Sequence, residues 1–214
     1  MKVLKIIVSI TIPFFLIILF ASILTTTPYL IFSKGLYESH SRIEFDHDYA
    51  AERIMGYLNY RYEDLNFGTD EFDDSILLRD EEIVHMEDVL KVYTGLRIAA
   101  FSSLIIGVSL SFLIYKRNKE ELYKTFKHMY IGPALFVLFL GGYILIDFNA
   151  AFTAFHNIFF PQGGWTLGYN DALIQLLPTP FWMVSGIIIL VLFSLSMALI
   201  YVLNEKVLKK KLLN

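Results

Sequence analysis

Residues 98–115 read IAAFSSLIIGVSLSFLIY, eighteen positions without one charge. As a helix rising 1.5 Å per residue, such a run is long enough to cross a hydrocarbon core of about 30 Å. Three more uncharged apolar runs flank it: Ile6 to Leu24, Met129 to Ile146 and Phe181 to Leu203. Pro13 and Pro133 fall inside two of them, where neighbouring membrane helices tolerate a kink. The composition agrees: 56% hydrophobic and 18% charged, against about 45–50% and 25% in soluble domains. The expected fold class is therefore an α-helical polytopic membrane protein with four transmembrane helices. The first run follows Lys2 and Lys5, as a signal peptide would. It exceeds the usual h-region, however, and LFASILTTTPYL offers no A-x-A site, so it reads as an uncleaved anchor.

Lys and Arg set the orientation. Lys2, Lys5, Lys116, Arg117, Lys119, Lys124, Lys127, Lys206, Lys209, Lys210 and Lys211 are eleven of the 18 basic residues, and all share one side if both termini are inside. Only Glu120, Glu121 and Glu205 join them there, whereas the other side collects 18 acids. The positive-inside rule then predicts N-in, C-in. The expected organisation is spans at 6–24, 98–115, 129–146 and 181–203, a cytoplasmic loop at 116–128, a tail at 204–214, and two extracellular segments, 25–97 and 147–180.

The first extracellular segment is too long for a passive connector and should fold into a small mixed cap. Asp48 can cap a helix through about Tyr60, and Asp80 one through at least Tyr93, leading into the second span. Between them FGTDEFDD reads as loop, and short extended pieces are expected around Tyr37 to Phe45. In the second segment Phe148, Phe152, Phe155 and Phe159 recur at 4, 3 and 4 spacing, which predicts that the third membrane helix continues outward. Pro161 and the Gly163–Gly164 pair end it, and Thr179 should cap the last span with Pro180 at its first position.

Several function classes are disfavoured. A net charge of −3 gives no basic field for nucleic acid. With no cysteine there is no disulfide, thiolate metal site or cysteine nucleophile. Walker, dinucleotide and G-x-S-x-G motifs are missing, as is H-E-x-x-H, so no nucleotide, cofactor or metal is expected. Four spans without an ionisable residue make a poor ion or proton path.

Of five histidines, His128 sits at an inner helix end, and His40 and His47 lie among polar residues and read as solvated. His85 shares a helix face with Glu81 and Asp88, either of which could orient its ring. His156 stands in FNAAFTAFHNIFFPQGGW with Asn149 and Phe152 on its face. Both fall just beyond the outer ends of membrane spans, so the two segments converge at one level, facing the outer leaflet.

The strings EEIVHMEDV and FNAAFTAFHNIFFPQGGWTL, in this four-span layout, resemble the lipoprotein intramolecular transacylase family of Gram-positive bacteria. The resemblance implies an acyltransferase that moves the sn-2 acyl chain of a diacylated bacterial lipoprotein onto its N-terminal α-amino group, giving the lyso form. It also implies that His85 and His156 are the catalytic pair. The chemistry is consistent, because the substrate amine is itself the nucleophile and needs only a base, while the departing glyceryl oxygen needs an acid. Either ring suits either role. Phe152, Phe155, Phe159, Phe160 and Trp165 are candidate walls of the substrate pocket. Apart from the lipoprotein and membrane lipid no partner is assigned, and no oligomeric state. Two other readings fit the composition: a non-catalytic membrane protein whose acidic cap binds a partner or senses the envelope, and a membrane metallohydrolase.

Overall fold

A computed structural model describes residues 1–35, 47–65 and 78–213. Among the described residues ten α-helices follow in order: α1 (Lys2–Leu24), α2 (Thr27–Lys34), α3 (His47–Leu58), α4 (Asp80–Arg117), α5 (Lys119–His128), α6 (Ile131–Ile146), α7 (Phe148–Phe159), α8 (Ala172–Leu176), α9 (Thr179–Leu203) and α10 (Lys209–Leu213). A π-helical segment, Asn204–Leu208, joins the last two. The described residues contain no strand. Among the described residues four helical stretches are long and apolar enough to cross a membrane: Lys2–Leu24, Asp80–Arg117, Lys119–Ile146 and Thr179–Leu212. The chain divides into two compact units. One comprises Met1–Ala21, Leu96–Asp147 and Ile187–Asn214, the other Ser22–Gly95 and Phe148–Gly186.

The first unit holds the apolar spans. Val8, Ile114 and Leu122 form one buried cluster, and Met129, Phe193 and Met197 another. Close approach of α1 and α4 depends on Gly107, where a Cβ would lie 2.8 Å from Thr11 Oγ1 and 3.0 Å from Ile12 Cγ1. The outer surface is the opposite of a soluble protein's, with Leu138 67% and Phe139 71% exposed. Each such side chain left in water forgoes about 1.5–3 kcal/mol, so the surrounding solvent is hydrocarbon. The expected loop at 116–128 is largely helical instead. Asn118 accepts a hydrogen bond from the Glu121 N–H at 3.2 Å, which starts α5 one residue after α4 stops. Lys5 pairs with Glu121 at 2.6 Å, and Asn204 donates to the Tyr123 carbonyl at 3.0 Å, so α1, α5 and the π-helical segment are tied at one end.

The second unit is built around Leu30, Ile54, Met55, Met86, Leu173 and Phe181. His47 corrects the expectation of a solvated ring, being only 8% exposed. Helix α3 begins at His47 itself, so the ring joins the inward stripe of Ala50, Ala51 and Ile54 at helical spacing. Asp48 accordingly lies within the first turn and not ahead of it. The same helix stops at Leu58, short of Tyr60, because Tyr60 takes the left-handed conformation (φ 60°) and the Arg61 N–H turns back to the Gly56 carbonyl at 2.8 Å. His40, the extended pieces expected at Tyr37 to Phe45, and the FGTDEFDD loop lie outside the described residues.

Two further boundaries differ from the sequence reading. The third span does not run on unbroken: Asp147 leaves helical geometry (φ −150°, ψ 89°) and a new helix starts at Phe148. Aspartate competes with the backbone for hydrogen bonds and suits a helix end better than an interior. Helix α9 begins one residue early, at Thr179, because the Pro178 carbonyl accepts from the Phe181 N–H at 2.9 Å.

Candidate active site

The N-terminus of α4 is fixed by Glu82, which has no exposed surface. Its Oε2 accepts from the Arg79 N–H at 2.9 Å, the reciprocal half of a capping box, and its Oε1 accepts from the Leu173 N–H at 2.8 Å in the first turn of α8. Arg79 also pairs with Asp171, the residue that precedes α8. One buried carboxylate thereby locks two helix starts together, one turn before His85.

On α7, Ala151 and His156 face inward. The chain then reverses through Gly163 (φ 83°) and Gly164 (φ 79°), a pair of left-handed positions at which a side chain would be strained. The reversal returns Trp165 against His156, with ring centroids 4.8 Å apart. Phe152, one turn earlier on α7, lies 4.0 Å from the same ring.

His85 and His156 meet, with ring centroids 6.1 Å apart. Phe160, 4% exposed, lies 5.2 Å from the first and 5.6 Å from the second. The Nδ1 of His156 lies 2.8 Å from the Phe152 carbonyl oxygen. A carbonyl only accepts, so Nδ1 carries the proton, and in the neutral ring the free lone pair is on Nε2. Burial lowers the pKa of both imidazoles. For His85 the neighbouring His156 adds to the effect and Asp88 opposes it; for His156 the bond to Phe152 opposes it.

The remaining sequence candidates fall into two groups. Asp88 belongs to the site: it accepts from Gln162 Nε2 and from Lys91 Nζ, both at 3.0 Å, and these bonds hold its carboxyl below the usual range. Glu81 and Asn149 are exposed, and among the described residues neither hydrogen-bonds to an imidazole. Phe155 meets His156 edge-on at 5.4 Å while 49% exposed, and Phe159 packs on Phe155 at 4.7 Å. No three His, Asp or Glu side chains converge as metal ligands among the described residues.

Sequence reasoning missed Gln162 and the Arg79–Glu82–Asp171 lock. An arginine at the capping position hides the usual Ser/Thr/Asp/Asn signal, although Glu82 three residues on is the other half of that pattern. Nothing in the sequence marks Gln162 as a partner of Asp88.

Comparison with known proteins adds four findings. The family model of lipoprotein intramolecular transacylase Lit matches residues 4–182. An uncharacterized protein of Aquifex aeolicus (strain VF5) is 30% identical over 135 residues, 62% of this chain and 60% of that protein, so the chain spans about 60% of the length of that curated relative. The solved structure of the membrane integral lipoprotein intramolecular transacylase Lit from Bacillus cereus is similar with a TM-score of 0.79, covering 100% of this chain and 98% of that one at 19% identity. A structure of the same protein with one histidine replaced by arginine gives a TM-score of 0.75 at 20% identity over 99% and 93% of the two chains. At these identities the structural likeness is one of fold, that of a helical multi-pass integral membrane protein.

Proposed function

The chain belongs to the Lit family of lipoprotein intramolecular transacylases, and from that membership we propose that it transfers the sn-2 acyl chain of a diacylglyceryl-cysteine lipoprotein to the cysteine's own α-amino group. The observation that carries the reading to particular residues is the pairing of His85 and His156, two imidazoles from separate segments with ring centroids 6.1 Å apart.

In this reaction the amine nitrogen attacks the ester carbonyl, so an N–C bond forms and the C–O bond to glycerol breaks. His156 is the base: its Nδ1–H is committed to the Phe152 carbonyl, and its Nε2 accepts the amine proton. His85 delivers a proton to the departing glyceryl oxygen. The two rings are close enough for a water or the reacting group to bridge them, so the proton taken by one is returned through the other and the cycle balances. Burial and the neighbouring His156 hold the His85 pKa below its ordinary value and Asp88 opposes them, so the proton that His85 passes on is the one relayed from His156. The acyl chains and the membrane hold amine and ester together, and such proximity is worth several kcal/mol.

The basic residues at 2–5, 116–127 and 206–211 support an N-in, C-in orientation with the histidines toward the outer leaflet. Reporter fusions after Lys34 should read as external and one after Lys119 as cytoplasmic; the reverse pattern contradicts the orientation.

Mass spectrometry of a diacylated lipopeptide incubated with the purified protein tests the activity. Intramolecular transfer conserves the mass and moves one acyl chain into the N-terminal fragment. Loss of that chain to water identifies a hydrolase instead, and an unchanged lipopeptide contradicts both.

A further inference from the structure

A base becomes a cation during turnover, and His156, only 8% exposed, has little water to stabilise that charge. Among the described residues no carboxylate pairs with it. The titratable groups facing it are His85 on α4 and, behind that ring, Asp88 held by Lys91 and Gln162. Helix α7 has no other titratable side chain, and the return segment supplies only Tyr169 and Asp171, the latter paired with Arg79.

What does surround the ring is aromatic: Phe155 meets it edge-on, and three other rings are shallowly tilted. Phe152 lies at 4.0 Å and 39°, Trp165 at 4.8 Å and 37°, and Phe160 at 5.6 Å and 35°. The faces of such rings are electronegative and attract a cation, most strongly where water is excluded and tryptophan contributes. Neutral imidazole stacks on them as well but gains nothing from the charge, so the difference favours the protonated form.

Building on the acid–base reading above, we propose that Phe152, Trp165 and Phe160 form a sleeve that stabilises the His156 imidazolium created when the amine loses its proton. They act through His156 and are positioning residues, not walls for the acyl chain. Two glycines in left-handed conformation, Gly163 and Gly164, return Trp165 to this sleeve.

The test follows the His156 imidazole directly. Full-length protein in detergent, labelled with ¹⁵N-histidine, is titrated by NMR alongside Trp165→Leu, Phe152→Leu and Trp165→Phe, with His156→Ala identifying the signal. Turnover of a diacylated lipopeptide is measured on the same samples. In each leucine variant the titration midpoint should fall by about half a unit or more. Turnover should fall about 3- to 30-fold with KM nearly unchanged. Trp165→Phe, which keeps a π face, should stay near the parent. The sign is decisive, because rings that merely dehydrate His156 would, once removed, leave its midpoint unmoved or raise it. Either result overturns the sleeve, as does a raised KM with unchanged turnover and midpoint. A lowered midpoint with unchanged turnover instead removes His156 as the base, and with it the sleeve's part in catalysis.

Discussion

Asp88 accepts a hydrogen bond from Gln162 at 3.0 Å, which joins the helix bearing His85 to the turn that follows the helix bearing His156. The two histidines are therefore held by more than their own packing. A short polar tie fixes one helix against the other a single turn from the chemistry, and the same carboxylate biases the charge of His85.

Removing the donor separates these effects. Gln162→Ala should lower turnover about 3- to 10-fold, because small misplacements of reacting groups are expensive, while the protein stays folded since the bond is exposed. Asp88→Asn keeps an acceptor for Gln162 but loses the charge, so the His85 titration midpoint should fall further. NMR titration with turnover on the same samples checks both, and an unmoved His85 midpoint in Asp88→Asn contradicts the assignment.

Glu82 carries a structural prediction. Glu82→Ala strands the Arg79 and Leu173 N–H groups in a buried site, at a cost of about 1–3 kcal/mol. Thermal unfolding in detergent should show this loss, whereas the exposed Glu81→Ala should stay within about 0.5 kcal/mol of the parent. Equal behaviour of the two variants contradicts the lock.

Two glycines should respond oppositely to alanine. A Cβ at Gly56 falls on the Tyr62 ring, so Gly56→Ala should destabilise by about 1–3 kcal/mol. Gly95, inside α4, has nothing within 4 Å, and Gly95→Ala should stabilise by about 0.5–1 kcal/mol. Unfolding midpoints of the two variants check the pair.

Burial of the imidazoles predicts a pH dependence of stability. Both pKa values are lowered on folding, so the neutral rings are favoured in the native state. Below about pH 6.5 the unfolded chain takes up protons first. The contribution to stability is thus fully present above that pH and is lost as pH falls toward the folded midpoints. The melting temperature should drop on acidification to pH of about 5.5, and drop less in the His85→Ala, His156→Ala double variant. An equal drop in both proteins contradicts the assignment.

The spans were legible because uncharged runs such as 98–115 have one physical explanation, and the two histidines because the strings around them are distinctive. Boundaries were less so. Asp147 ends the third span before the phenylalanine series begins, so that series lies on a separate helix, since spacing records which face is apolar and not where the backbone turns. His47 sits in a polar string yet is buried, because it lies within the helix on the inward stripe of Ala50, Ala51 and Ile54 and not ahead of a cap at Asp48. The aromatic residues were found as a group, but their separate places were set by tertiary structure: Trp165 returns only through a left-handed glycine turn, while Phe159 ends up against Phe155.

Lyso-lipoprotein formation by purified His85→Ala and His156→Ala proteins, each shown to be folded, tests the two-histidine transfer most directly. Each substitution should lower turnover by about 10²-fold or more, as expected for loss of a general acid or base. The double variant should be little worse than the poorer single one, since the pair works as a unit. Near-parental formation of the lyso product by either single variant would contradict the two-histidine mechanism.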